Sequence, residues 1–101
     1  MQYRLCPKFE HAFQLLGKRW NGLIINSLLS GMKRFSEIEE AVPGISSKML
    51  AERFRELEEE NIIKRKVFPD TPVRIEYELT EKGRELSKAL NEIQSWADKW
   101  C

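Results

Sequence analysis

Two cysteines stand near the ends of the 101-residue chain, Cys6 and Cys101. Cys6 precedes Pro7, a residue suited to the first turn of a helix, which puts its thiol at or just outside a helix N-terminus. The helix dipole there, with Arg4 and Lys8 close in sequence, favours the thiolate, the form that reacts. A small apolar side chain packed at a helix start accounts for Cys6 as well, because free cysteine is often buried. A lone pair this far apart is not the disulfide framework of a secreted domain. The single histidine, His11, forms no compact metal-ligand spacing with Cys6 and Cys101, and carboxylates would have to complete any shell, so no metal or other cofactor is expected. No glycine-rich phosphate loop and no Ser-His-Asp series with suggestive spacing is present, which argues against an enzyme.

A second set of residues suits recognition. Ser46, Ser47 and Lys48 open a helix that runs to Glu60, and Ala51, Glu52 and Arg55 follow on the side opposite Leu50, Phe54 and Leu57, with Arg53 counted in the same set. Short hydroxyls and a small Ala let a backbone approach base edges, Lys and Arg donate to guanine, and Glu accepts from cytosine. Any amphipathic helix has a charged outer side, so the pattern alone does not decide for DNA. Downstream, Lys64, Arg65, Lys66 and Arg74 place cations on a ribbon, where phosphates could meet them.

Periodicity gives the elements that must position these residues. Phe9, Phe13 and Leu16 recur at helical spacing up to Gly17. A helix from near Trp20 carries Leu23, Ile24 and Leu28 on one side and Ile25 and Leu29 on the other, which predicts burial almost all round. Phe35, Ile38 and Val42 form a short amphipathic helix, Pro43 and Gly44 break it, and Ser46 caps the longer one. After Asn61, residues 62–68 and 73–79 read as paired strands around Pro69 to Pro72, the second alternating Val73, Ile75, Tyr77 and Leu79 with charge, as a half-buried strand does. Thr80 caps a last helix with the stripe Leu86, Leu90, Ile93, Ala97 and Trp100 and with Trp96 beside it. The expected class is mainly α with a small antiparallel β-ribbon: a winged helix-turn-helix, with the helix-turn-helix at about 35–60, the wing at about 61–79 and a C-terminal helix at about 80–100. Phe9, Leu90, Ile93, Trp96, Ala97 and Trp100 then need a covering surface, and a second copy of the chain is the expected one.

The composition is that of one folded domain over residues 1–101. There are 17 Lys+Arg against 16 Asp+Glu, net +1, with 42% hydrophobic and 33% charged residues. No run of about 18 apolar residues and no signal-peptide pattern appears, so no membrane is expected as a partner and the cytoplasm is the expected compartment. Attraction to a polyanion must be local. By segment the charge is +5 over 1–34, −5 over 35–61, +3 over 62–75 and −2 over 76–101, which puts the positive excess on the N-terminal helices and the ribbon.

Several separated motifs, in order, closely resemble the HxlR-type winged-helix transcriptional regulators, relatives of the MarR group. They are Cys6-Pro7, Leu16-Gly17-Lys18-Arg19-Trp20, Arg34-Phe35-Ser36-Glu37-Ile38, Ile45-Ser46-Ser47-Lys48-Met49-Leu50, Arg53, Glu56-Leu57-Glu58 and Tyr77-Glu78-Leu79-Thr80-Glu81-Lys82-Gly83. Within that family, Trp20-Asn21-Gly22-Leu23-Ile24-Ile25, Pro72-Val73, Trp96-Ala97-Asp98 and Cys101 look most like the quinone- and diamide-sensing YodB-like repressors. The resemblance implies a homodimeric bacterial repressor on a pseudo-palindromic DNA operator, with Cys6 detecting quinones or other electrophiles and oxidants. Cys101 could then meet Cys6 of a partner subunit in an intersubunit disulfide. Two alternatives stay open: the same DNA-binding dimer controlled by a noncovalent ligand or metal, and a protein-binding winged helix that never touches DNA.

Overall fold

The computed structural model describes residues 6–101, so Arg4 lies outside the described residues. In chain order the elements are α1 (Pro7–Leu16), α2 (Asn21–Leu29), α3 (Phe35–Ala41), α4 (Ser47–Glu59), β1 (Ile63–Phe68), β2 (Arg74–Leu79) and α5 (Glu81–Trp100). Local chemistry sets most of their ends. Pro7 opens α1, Ser46 Oγ accepts from the Met49 N–H at the start of α4, and Thr80 Oγ1 accepts from the Gly83 N–H at the start of α5. Asn61 ends α4 in the left-handed region at φ 59°. Gly44, at φ 88°, makes the turn between α3 and α4 that a side chain would strain.

The core joins Ile24, Ile25 and Leu28 of α2 to Ile38, Val42, Leu50, Phe54 and Leu57 of the helix-turn-helix and to Ile62, Ile63 and Leu79 at the root of the ribbon. Phe54 sits at its centre, edge-on to Phe35 at 5.2 Å and tilted against Tyr77 at 4.6 Å. The strands pair antiparallel from Ile63↔Leu79 to Phe68↔Arg74, and the Tyr77 N–H donates to the Lys33 carbonyl at 2.7 Å, tying the wing to the loop before α3. This is the winged helix-turn-helix expected from the pattern.

Two burial expectations fail. The second helix is not buried all round: Leu23 and Leu29 are almost half exposed, because the core covers only the side bearing Ile24, Ile25 and Leu28. The second strand is not half-buried along its length either. Leu79 is buried and Tyr77 packs on the core, but Ile75 and Val73 are exposed, because the ribbon projects past the helical layer that would have covered them.

Candidate nucleic-acid interface and thiol site

Three facets of α4 have three different neighbours. Leu50, Phe54 and Leu57 face the core. Lys48, Ala51 and Arg55 are exposed and Glu52 is partly so, forming an open row near the helix start. The third facet turns toward α1, where Glu56 Oε2 takes Lys18 Nζ at 2.6 Å and Arg53 Nη1 at 2.6 Å, and Glu60 Oε2 meets His11 Nε2 at 2.9 Å. Arg53, expected among the base-reading residues, belongs to this facet; it is only 16% exposed and also donates to Met49 Sδ. Ser46 is engaged as the cap, and the Ser47 hydroxyl donates to the Glu39 carboxylate of α3. The geometry thus leaves Lys48, Ala51, Glu52 and Arg55 as the side chains free to face a groove.

The wing has two faces. Arg65 lies on the side toward α4, in a cleft with Ala51, Phe54, Arg55, Glu58 and Tyr77, so it extends the open row rather than the ribbon's outer surface. Burial raises the pKa of the Tyr77 phenol there, against the opposing influence of Arg65. Lys64 and Lys66 lie on the other face and both reach Glu78; Arg74 reaches Asp70 and Glu76. A +3 ribbon therefore needs correction. Dividing the chain at residue 75 separated cations from the Glu76 and Glu78 that the sheet sets across from them, and residues 63–79 carry four cations against three carboxylates, net +1.

Cys6 is the N-cap residue of α1, exposed, with extended backbone and no side-chain cap. Cys101 is exposed at the end of α5. The helices they flank both carry uncovered apolar side chains. No residue of α1 is buried, and Phe9 and Phe13 lie 60% and 54% exposed with their rings 4.8 Å apart. On α5, Leu86 and Leu90 pack on the core, while Ile93, Trp96 and Trp100 are exposed and Ala97 is half-buried. Phe13 and Leu23 thus join the apolar residues that need a cover. Helical spacing already flagged both, but without a fold nothing told them from core. His11 is engaged by Glu60, and among the described residues no cluster of His, Cys, Asp and Glu is arranged to hold a metal ion.

The HxlR-like helix-turn-helix profile matches residues 15–101. The chain belongs to this family. The HTH-type transcriptional regulator YodB of Bacillus subtilis (strain 168) is 59% identical over 97 residues, covering 96% of this chain and 87% of YodB. The structure of reduced YodB superposes with a TM-score of 0.85 at 58% identity, over 97% of this chain and 96% of that one. The quinone-bound form of YodB gives 0.82 at 54% identity, over 95% of this chain and 100% of that one. This HxlR-type protein is therefore a transcriptional regulator of the YodB type, and its relatives are regulators rather than enzymes. Among its described residues no helix is long and apolar enough to cross a membrane.

Proposed function

We propose that this HxlR-type regulator is a homodimeric repressor that binds a pseudo-palindromic DNA operator and is released when Cys6 reacts with quinones or other thiol-directed electrophiles. The observation that carries the reading is the exposed Cys6 thiol at the head of α1, a helix whose Phe9 and Phe13 lie uncovered. A thiol is useful as a sensor when reagent can reach it and when its surroundings respond to the product. Apolar surface on α1 and on the distal half of α5 suits burial against a second copy, which would bring both thiols close to the subunit boundary. That YodB has been solved in reduced and quinone-bound forms supports the chemistry.

In this reading Lys48, Ala51, Glu52 and Arg55 face base edges in the major groove, with the wing along the backbone. A quinone adds its ring carbon to the Cys6 thiolate, while diamide takes up two electrons and two protons as Cys6 and the partner's Cys101 become a disulfide. Either product at the boundary would turn the paired α4 helices away from half-sites about 34 Å apart.

Mobility-shift measurements on promoter fragments, with wild type, Cys6→Ser and Cys101→Ser, test this. Wild type should be released by both reagents, Cys6→Ser by neither, and Cys101→Ser should be spared release by diamide. Release of Cys6→Ser as readily as wild type would falsify the sensor role. Binding that ignores both reagents would favour a noncovalent ligand, and no shift with any fragment would favour a protein partner.

A further inference from the structure

The wing holds three of its four cations already paired. Lys64 Nζ lies 2.9 Å from one oxygen of Glu78 and Lys66 Nζ 3.1 Å from the other, so a single carboxylate spans both ammonium groups. The strand register makes this possible: Lys64 lies directly opposite Glu78, and Lys66 lies diagonal to it on the same face. Hydrogen bonds from Lys64 and then Lys66 hold the Glu78 carboxyl below its ordinary range.

We propose that Glu78 sets the sequence-independent DNA affinity of this protein, by masking the two wing lysines that would otherwise grip phosphate. The inference rests on the DNA-binding reading above and adds a residue that opposes binding. Lysine on phosphate carries no sequence information and attracts any duplex. With Glu78 in place, each such contact must displace an exposed ion pair and leaves a carboxylate facing the phosphates. That carboxylate gathers a cation of its own, which cancels part of the counterion release driving association. Exposed pairs are weak enough to open when α4 holds the wing against the backbone, so the mask restrains binding without forbidding it.

The experiment measures affinity for a duplex of unrelated sequence across a salt series. Glu78→Gln, which keeps shape and removes charge, should bind about three- to tenfold tighter at low salt and show a log–log salt dependence steeper by about one to two. In a Lys64→Ala/Lys66→Ala background the same substitution should add little. Unchanged affinity and slope in Glu78→Gln would overturn the proposal, as would a gain that survives in full without the lysines, since Glu78 would then act only as a repulsive charge. Absence of binding to every duplex by wild type and Glu78→Gln alike would instead sink the DNA-binding reading itself.

Discussion

Asn21 Nδ2 donates to the Leu15 carbonyl at 2.8 Å from a position with no solvent exposure, tying the last turn of α1 to the first turn of α2. No other side chain of α2 is both polar and buried. The bond matters because α1 buries none of its own residues and is otherwise attached through half-buried Leu15 and the polar contacts of His11 and Lys18. Asn21→Ala should cost about 1–3 kcal/mol in urea unfolding. Asn21→Asp should cost more, because it buries a charge against a carbonyl oxygen. A neutral result for the Asp variant would mean that α1 is not held there.

The junction of α1 with α4 titrates. The Lys18 ammonium bonded to Glu56, and next Arg53, hold that carboxyl below its ordinary value of 4.5, against a partial desolvation that raises it. A carboxylate with a depressed folded-state pKa contributes stability that is complete above the unfolded value and lost as pH falls through the folded one. Lys18→Ala should therefore cost up to about 1 kcal/mol at pH 7, an exposed pair being worth little more. The gap from wild type should close below pH 4.5. Denaturant titrations at neutral and acid pH check it; a gap independent of pH would assign the loss to packing of the lysine stem.

Trp96 and Trp100 are 61% and 67% exposed on the distal half of α5, and among the described residues neither joins the core. Trp96→Glu should convert a dimer to monomers in sedimentation velocity and weaken operator binding, because it places a charge in the centre of an apolar contact. Far-ultraviolet dichroism should be unchanged, since Trp96 contributes nothing to the core. Wild type already sedimenting as a monomer would remove the basis for half-site pairing.

Arg55 and Lys64 should behave differently in the same DNA measurement. Losing Arg55 from the open row of α4 should cost about 1–3 kcal/mol on an operator and relax base preference, whereas losing Lys64 should weaken all duplexes alike. Selectivity unchanged by Arg55→Ala would show that other side chains read the bases.

What the sequence disclosed follows the range of the interactions involved. Ser46 and Thr80 mark helix starts through bonds made within a few residues, and Pro7 and Asn61 mark ends through their own backbone geometry, so those ends are read directly. The core stripe of α4 was equally plain, since 3.6-residue periodicity needs no partner to be visible. The burial of α2 was overstated because Leu23 and Leu29 are apolar without being core, which depends on what packs nearby. Arg53 looked like a reading residue until Lys18 and Glu56 placed it beside α1. The Glu78 clamp lay furthest from reach, since its partners are 14 and 12 positions away in sequence and adjacent only through the strand register. The buried bond of Asn21 to Leu15 is likewise out of reach, because one polar residue at the start of an apolar run reads as an interruption.

Gly83 lets the first turn of α5 lie close against Ile62 at the root of the ribbon. A side chain there would collide with the Ile62 carbonyl, which already accepts from the Thr80 N–H and Oγ1. Gly83→Ala should cost about 1–3 kcal/mol and change the departure angle of the helix. Leu86 and Leu90 still hold the helix on the core beyond that point, and only its last part, about 15 Å from Asn91 to Trp100, runs on past the core. Its length past Leu90 thus works as a boom, holding Trp96, Trp100 and Cys101 out from the core.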